Sequence, residues 1–177
     1  DNSIFNFLKK RGHNFDRNNP SFLIHLYEEK GYDFLNDING WFSGLLIDLR
    51  KMKIILFNDR YGMERIYYYQ SSDSIIFSSE AKSILNIRKN LRKIDMKGLS
   101  EFLVCNCVLE NRTLFKKLSL LPIASGWIIS KPFHIKKKNY FSFAQWENQN
   151  TIPEKEFSSQ FISTFYDSLK LYTNSFE

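Results

Sequence analysis

Four short runs rich in β-forming residues, all lying between positions 41 and 78, constrain the fold of this chain more than any other feature. Residues 41–48, 53–58, 65–69 and 74–78 carry Ile, Leu, Phe, Trp and Tyr and are parted by turn-forming stretches. The gaps are too short to hold a crossover helix, so consecutive strands are expected to be antiparallel. Within the runs, apolar residues occupy both parities, as in Leu45-Leu46-Ile47 and Ile54-Ile55-Leu56-Phe57. Strands that are oily on both sides need cover on both faces, and in an antiparallel sheet this predicts a layered α+β sandwich.

Helical signals flank the runs. Asn19 and Pro20 suit a helix start and Gly31 a helix stop, with Leu23, Leu26 and Tyr27 falling on one face between them. Ser78 or Ser79 can cap a helix beginning near residue 79. A further helix from Asp95 is expected to carry Leu99, Phe102 and Leu103 inward. Beyond Pro122, residues 126–130 and 134–136 read as strands, and 148–153 as a linker. Pro153 then opens a helix whose Phe157, Phe161, Phe165 and Leu169 recur every four residues, with Ile162 and Tyr166 beside them. Such a stripe demands a partner and suits the first element of a following domain.

With 43% hydrophobic residues, among them 17 Phe and 9 Tyr, the chain is far too apolar to be disordered. No apolar run reaches the roughly eighteen residues of a membrane span, and no basic-then-apolar leader opens the sequence, so a cytoplasmic protein without a membrane partner is expected. A net charge of +6 invites a nucleic-acid reading, but the only dense basic runs, 88–93 and 136–138, sit in no recognition motif and read as solvated faces or turns. Cys105 and Cys107 are too close for an unstrained bridge and read as buried thiols. The three histidines, His13, His25 and His134, are scattered along the sequence, which argues against a zinc site; His25 reads as a partly exposed helix histidine. An opening Asp1 and a final stretch without a helix stop suggest an excerpt of a longer protein.

Several tags occur in order. Residues 26–31 (Leu-Tyr-Glu-Glu-Lys-Gly), 34–42, 58–62 (Asn-Asp-Arg-Tyr-Gly), 67–69 and 78–85 (Ser-Ser-Glu-Ala-Lys-Ser-Ile-Leu) together resemble the class II glutamine amidotransferase domain of the asparagine synthetase family. Residues 112–118 and 121–126 resemble the segment that completes that domain. The resemblance implies a four-layer α/β/β/α sandwich of the N-terminal-nucleophile hydrolase type. It further implies an amidotransferase domain over residues 1–147, lacking its N-terminal part, and a linker plus first helix of an ATP-using synthetase domain over 148–177.

In that family an N-terminal Cys attacks the glutamine side-chain amide, its own α-amine serving as base, and ammonia passes to the second domain, where aspartate, activated by ATP with Mg²⁺, becomes asparagine. The partners so implied are glutamine, aspartate and ATP, the chain's own synthetase domain, and a possible second copy in a homodimer. No catalytic Cys stands at the start of this sequence, and neither Cys105 nor Cys107 occupies a position to substitute. Asp1-Asn2-Ser3 aligns with the family's Asn-Gly-Glu, which places substituted oxyanion-hole positions at Asp1 and Asn2 and substituted glutamine-binding positions at Ser3 and Asn19. An ionised Asp1 offers acceptors where donors are needed, and Ser3 and Asn19 remove charge-assisted bonds. Asp59, Arg60 and Gly62 are retained and read as a structural turn. Glu80 reads as a capping or helix-dipole residue. Two alternatives remain: an ATP-dependent amide ligase, β-lactam synthetase-like or other, that keeps a silenced amidotransferase domain as scaffold, and a non-catalytic interaction module.

Overall fold

The computed structural model describes residues 2–173. Helices α1 (Asn2–Lys10) and α2 (Phe22–Lys30) and a 3₁₀ segment (Gly31–Asn36) precede strands β1 (Ser43–Asp48), β2 (Lys53–Asn58), β3 (Tyr67–Gln70) and β4 (Ile75–Ser78). Helices α3 (Ala81–Ile87) and α4 (Met96–Cys105) follow, then β5 (Ser119–Leu120), β6 (Gly126–Ser130) and β7 (His134–Lys136), and finally α5 (Ala144–Glu147) and α6 (Glu154–Thr173). Two antiparallel sheets result, one ordered β1-β2-β6-β7 and the other β4-β3-β5.

The two-sided strands build the layers. On β2, Ile55 and Phe57 face outward into a cluster with Leu8 of α1, Leu26 of α2, Phe34 and Leu35. Leu56, one step along, points the other way and packs with Ile66, Leu121 and Trp127, against Tyr68, Ile75 and Phe77 of the second sheet. On that sheet Tyr67, Tyr69 and Ile76 face back toward Ile84, Leu85, Leu91 and Leu118. The order is therefore helix, sheet, sheet, helix. Full burial of a side chain such as Leu56 contributes about 2 kcal/mol, which is why alternate residues of one strand can hold two layers at once.

Gly126, at the start of β6, lets the helical layer close down: the Tyr32 hydroxyl donates to its carbonyl, and a Cβ there would lie 2.6 Å from Leu35 Cδ1. Two residues of the 136–138 basic run cover aromatic rings, Lys137 Nζ lying 4.3 Å from the Trp127 centroid and Lys138 Nζ 4.6 Å from that of Tyr32.

Several expectations need correction. Strands β2 and β3 do not pair; β2 pairs with β6, and the chain between β2 and β3 crosses from one sheet to the other. Strand β1 is not covered on both faces, since Leu45 and Ile47 stay exposed. Helix α2 begins at Phe22, because Asn19 Oδ1 accepts from Ser21 N (2.6 Å) and closes a tighter turn first, in which Leu23 N donates to Pro20 O.

Helix α4 is capped by Asp95, whose carboxylate accepts from Lys97 N and Gly98 N, but it does not turn Phe102 and Leu103 inward. It meets the body through its first turn, where Gly98 is buried close to Thr113 O, and through an ion pair of Glu101 with Arg112. The later residues run past that anchorage, so Cys105 and Cys107 are exposed thiols rather than buried ones.

The chain divides into two compact units, Asp1–Ser142 and Phe143–Glu177. In the second, Phe157, Phe161 and Phe165 stack along α6 at 6.2 Å spacing and remain exposed. Among the described residues no helix is long and apolar enough to cross a membrane.

Candidate functional site

Two helix starts carry the positions that sequence reading assigns to glutamine. Ser3 lies in the first turn of α1 and Asn19 in the turn leading into α2, both exposed. The Phe5 ring meets Phe22 edge-on at 5.2 Å and Phe15 at 5.7 Å, which draws the two starts together, and the Arg17 guanidinium lies 5.3 Å over Phe5. At this end stand a hydroxyl and an amide, and the Asn19 oxygen already accepts from Ser21 N. Asp1 lies outside the described residues, and Asn2 opens α1.

The retained residues form a different structure, the crossover between sheets. Asp59 is fully buried, and its carboxylate accepts from Tyr61 N (2.9 Å), Met63 N (3.2 Å) and Glu64 N (3.2 Å). Its own N–H donates to Phe42 O and its carbonyl accepts from Ala124 N and Gly62 N. Gly62 adopts φ 64°, the left-handed region, and a Cβ there would sit 3.0 Å from Ile123 Cγ2. Arg60 Nη2 donates to Asn36 O, and its guanidinium lies over Phe141.

The preceding Asn58 is equally buried. Its Oδ1 accepts from Ser125 N (2.8 Å), and its carbonyl accepts from the Tyr140 hydroxyl (2.9 Å), whose pKa burial pushes up. A buried carboxylate that accepts several backbone N–H groups holds a loop far more firmly than a glycine turn alone. The sequence signal at 58–62 was visible, but the part played by Asn58 was not.

Glu80 sits at the N-cap position of α3 with extended backbone and makes no side-chain capping bond, so of the two expected roles only the charge at the helix start remains. A cleft beside β1, lined by Ile47, Leu49, Met52, Ile54, Ile129 and Phe133, includes none of these positions. The histidines are not all scattered: His13, in the loop after α1, and His25, on α2, bring their rings to 4.9 Å, with Glu28 beside them. The two are twelve positions apart in sequence, and it is a reversal at Gly12 (φ 85°), just before His13, that brings them together, which hid the pair.

An α/β/β/α sandwich of antiparallel sheets is the N-terminal-nucleophile hydrolase arrangement of amidotransferases. The chain belongs to the glutamine amidotransferase domain family, whose model it matches over residues 2–141. Within that family it is of the asparagine synthetase type. It is 42% identical over 64 residues to asparagine synthetase [glutamine-hydrolyzing] 2 of Bacillus subtilis, covering 36% of this chain and 9% of that protein. It is 24% identical over 158 residues to a putative asparagine synthetase [glutamine-hydrolyzing] 2 of Methanocaldococcus jannaschii, covering 86% and 30%.

Among solved structures, the glutamine phosphoribosylpyrophosphate amidotransferase of B. subtilis superimposes with a TM-score of 0.51 at 15% identity, over 79% of this chain and 26% of that one. The chain thus spans less than a third of the length of these curated relatives.

Proposed function

We propose that the chain is the amidotransferase portion of an asparagine synthetase-like ligase, whose intact form makes asparagine from aspartate and ATP with glutamine as nitrogen donor. The match of the family model across residues 2–141 carries this reading. Residues 148–177, on the same reading, lead into the synthetase domain. The chain's own part is to frame the glutamine pocket: α1 and α2 present the positions that face the substrate, and the Asp59 crossover fixes the sheets beneath them. ATP and Mg²⁺ are assigned to no residue here, since the sequence contains no two adjacent glycines and hence no Ser-Gly-Gly-x-Asp-Ser loop.

A second reading is favoured by the substitutions at Asp1, Asn2, Ser3 and Asn19, which would weaken an oxyanion hole and the grip on a glutamine ammonium. On that reading the ligase takes free ammonia or another amine, and this domain is scaffold. The natural gene product decides between them: its mature N-terminal residue is identified by mass spectrometry, and product formation from aspartate and ATP is measured with glutamine or ammonia as donor. Turnover with glutamine supports the first reading, and turnover with ammonia alone supports the scaffold. Turnover with neither overturns the first reading and leaves a ligase for another amine or an interaction module.

A further inference from the structure

Beside the α1–α2 hairpin, His13 Nδ1 and His25 Nδ1 lie 3.1 Å apart, and His25 Nδ1 lies 3.6 Å from Glu28 Oε2. The three ligand atoms all fall within 4.8 Å of one another. Two imidazole nitrogens of the same kind at 3.1 Å can share only one proton, and a cation is the other way to reconcile their lone pairs. In a tetrahedral zinc site with bonds of about 2.05 Å, ligand atoms stand about 3.3 Å apart, so the His13–His25 and His25–Glu28 separations lie close to those of a ligand set.

From these observations we infer that His13, His25 and Glu28 form a binding site for a zinc-type divalent cation, with one coordination position open to water or to a further ligand.

Each ligand is placed by local structure. His25 and Glu28 are three apart on α2 and so share a face. His13 is brought over them by the turn at Gly12, its own N–H donating to Leu8 O. The opposite nitrogen, His13 Nε2, lies 2.9 Å from Glu29 Oε1, which holds the proton on Nε2 and leaves Nδ1 free to coordinate. Arg50 approaches Glu28 at Oε1, leaving Oε2 toward His25. Both imidazoles are mostly shielded, with side-chain exposures of 18% and 27%. Two nitrogens and one carboxylate oxygen favour zinc over magnesium or calcium, which prefer oxygen donors. The ion would clamp the loop after α1 to the middle of α2, close behind the helix starts that carry Ser3 and Asn19.

The exposed Cys105 and Cys107 could take zinc on their own, so the test uses the full 177-residue chain carrying Cys105→Ser and Cys107→Ser. Zinc chloride titrated calorimetrically is expected to bind one ion per chain and to raise Tm. His13→Asn and His25→Asn should each weaken binding at least tenfold, Glu28→Gln and Glu29→Gln about tenfold, and His134→Asn not at all. Nitrogen-15 NMR of the unmutated chain keeps the test independent of whether any variant folds: zinc must shift Nδ1 of both His13 and His25. No binding, binding insensitive to the His13 and His25 changes, or ring shifts confined to other histidines would overturn the site.

Discussion

Leu45 and Leu56 face each other across the β1–β2 ladder, are the same residue type, and lie on the same side of the same sheet. Leu56 is 1% exposed and Leu45 42%. On the far side of Leu56 the pairing continues to Trp127 of β6, 2% exposed, so the inner face is dry over β2 and β6 and open over β1. The second sheet, ordered β4-β3-β5, is one strand narrower than the first and leaves the inner face of β1 open. On the outer face both strands do better, with Leu46 of β1 packed beside Ile55 and Phe57 under the helices. An apolar pattern on both parities therefore says what a strand is able to bury. The breadth of the opposing layer decides what it does bury.

Five substitutions probe that difference. The largest effect is expected for Trp127→Ala, which empties the inter-sheet layer where Tyr68 meets the indole edge-on; a loss of about 4 kcal/mol in urea unfolding checks it. Asp59→Ala, which leaves the N–H groups of residues 61, 63 and 64 without their acceptor, should cost about 3 kcal/mol. It should also expose the crossover to limited proteolysis before the sheets melt. If the loss is under 1 kcal/mol, packing alone joins the two sheets.

Tyr27→Phe tests how the outer face holds β1, since the Tyr27 hydroxyl donates to Asp48 Oδ2 (2.8 Å) at the end of that strand. The expected cost is about 1 kcal/mol at neutral pH. Burial and the neighbouring Asp48 push the Tyr27 pKa up to about 12 from 10.0. The folded state thus keeps a proton that the unfolded chain gives up, so this contribution is whole below pH 10 and is lost as the pH rises through 12. Thermal unfolding followed over that range should fall for the parent chain and fall less for Tyr27→Phe.

The smallest effect belongs to Leu45→Ala, expected within about 0.5 kcal/mol of the parent, against about 3 kcal/mol for Leu56→Ala. Equal losses for these two cross-strand leucines would mean that the β1 inner face is covered in solution.

The strand runs were legible because each is dense in β-formers and bounded by turns; β1 to β4, β6 and β7 fall within a residue or two of their sequence patterns. Strand β5 is only two residues long and offers no pattern to see. Helix α1 was obscured because its opening residues were read as a motif rather than as an amphipathic segment, although Ile4 and Leu8 are buried four apart. For α4 the apolar spacing was real, but Gly98 was the residue that met the body, and nothing in a periodicity reports how far a helix extends past its anchorage. The same limit applies at the site. Ser3 and Asn19 could be named from motif order, whereas their adjacency depends on Phe5 and Phe22. The pairing of His13 with His25 depends on a reversal at Gly12 that brings distant residues into touch.

The close approach at Gly126 sets a boundary on how this sequence can vary. Its backbone needs no unusual torsion, so nothing in the local pattern reserves the position for glycine; the Tyr32 hydroxyl and Leu35 Cδ1 reserve it by occupying the space where any other side chain would start. Gly12 is the reverse case, with φ 85° but nothing within 4 Å of an added Cβ, so asparagine or aspartate is tolerable there. In a saturation library, position 126 would accept a larger residue only in company with changes at both Tyr32 and Leu35. These three positions drift together or not at all, ninety residues apart in the chain and in contact in the fold.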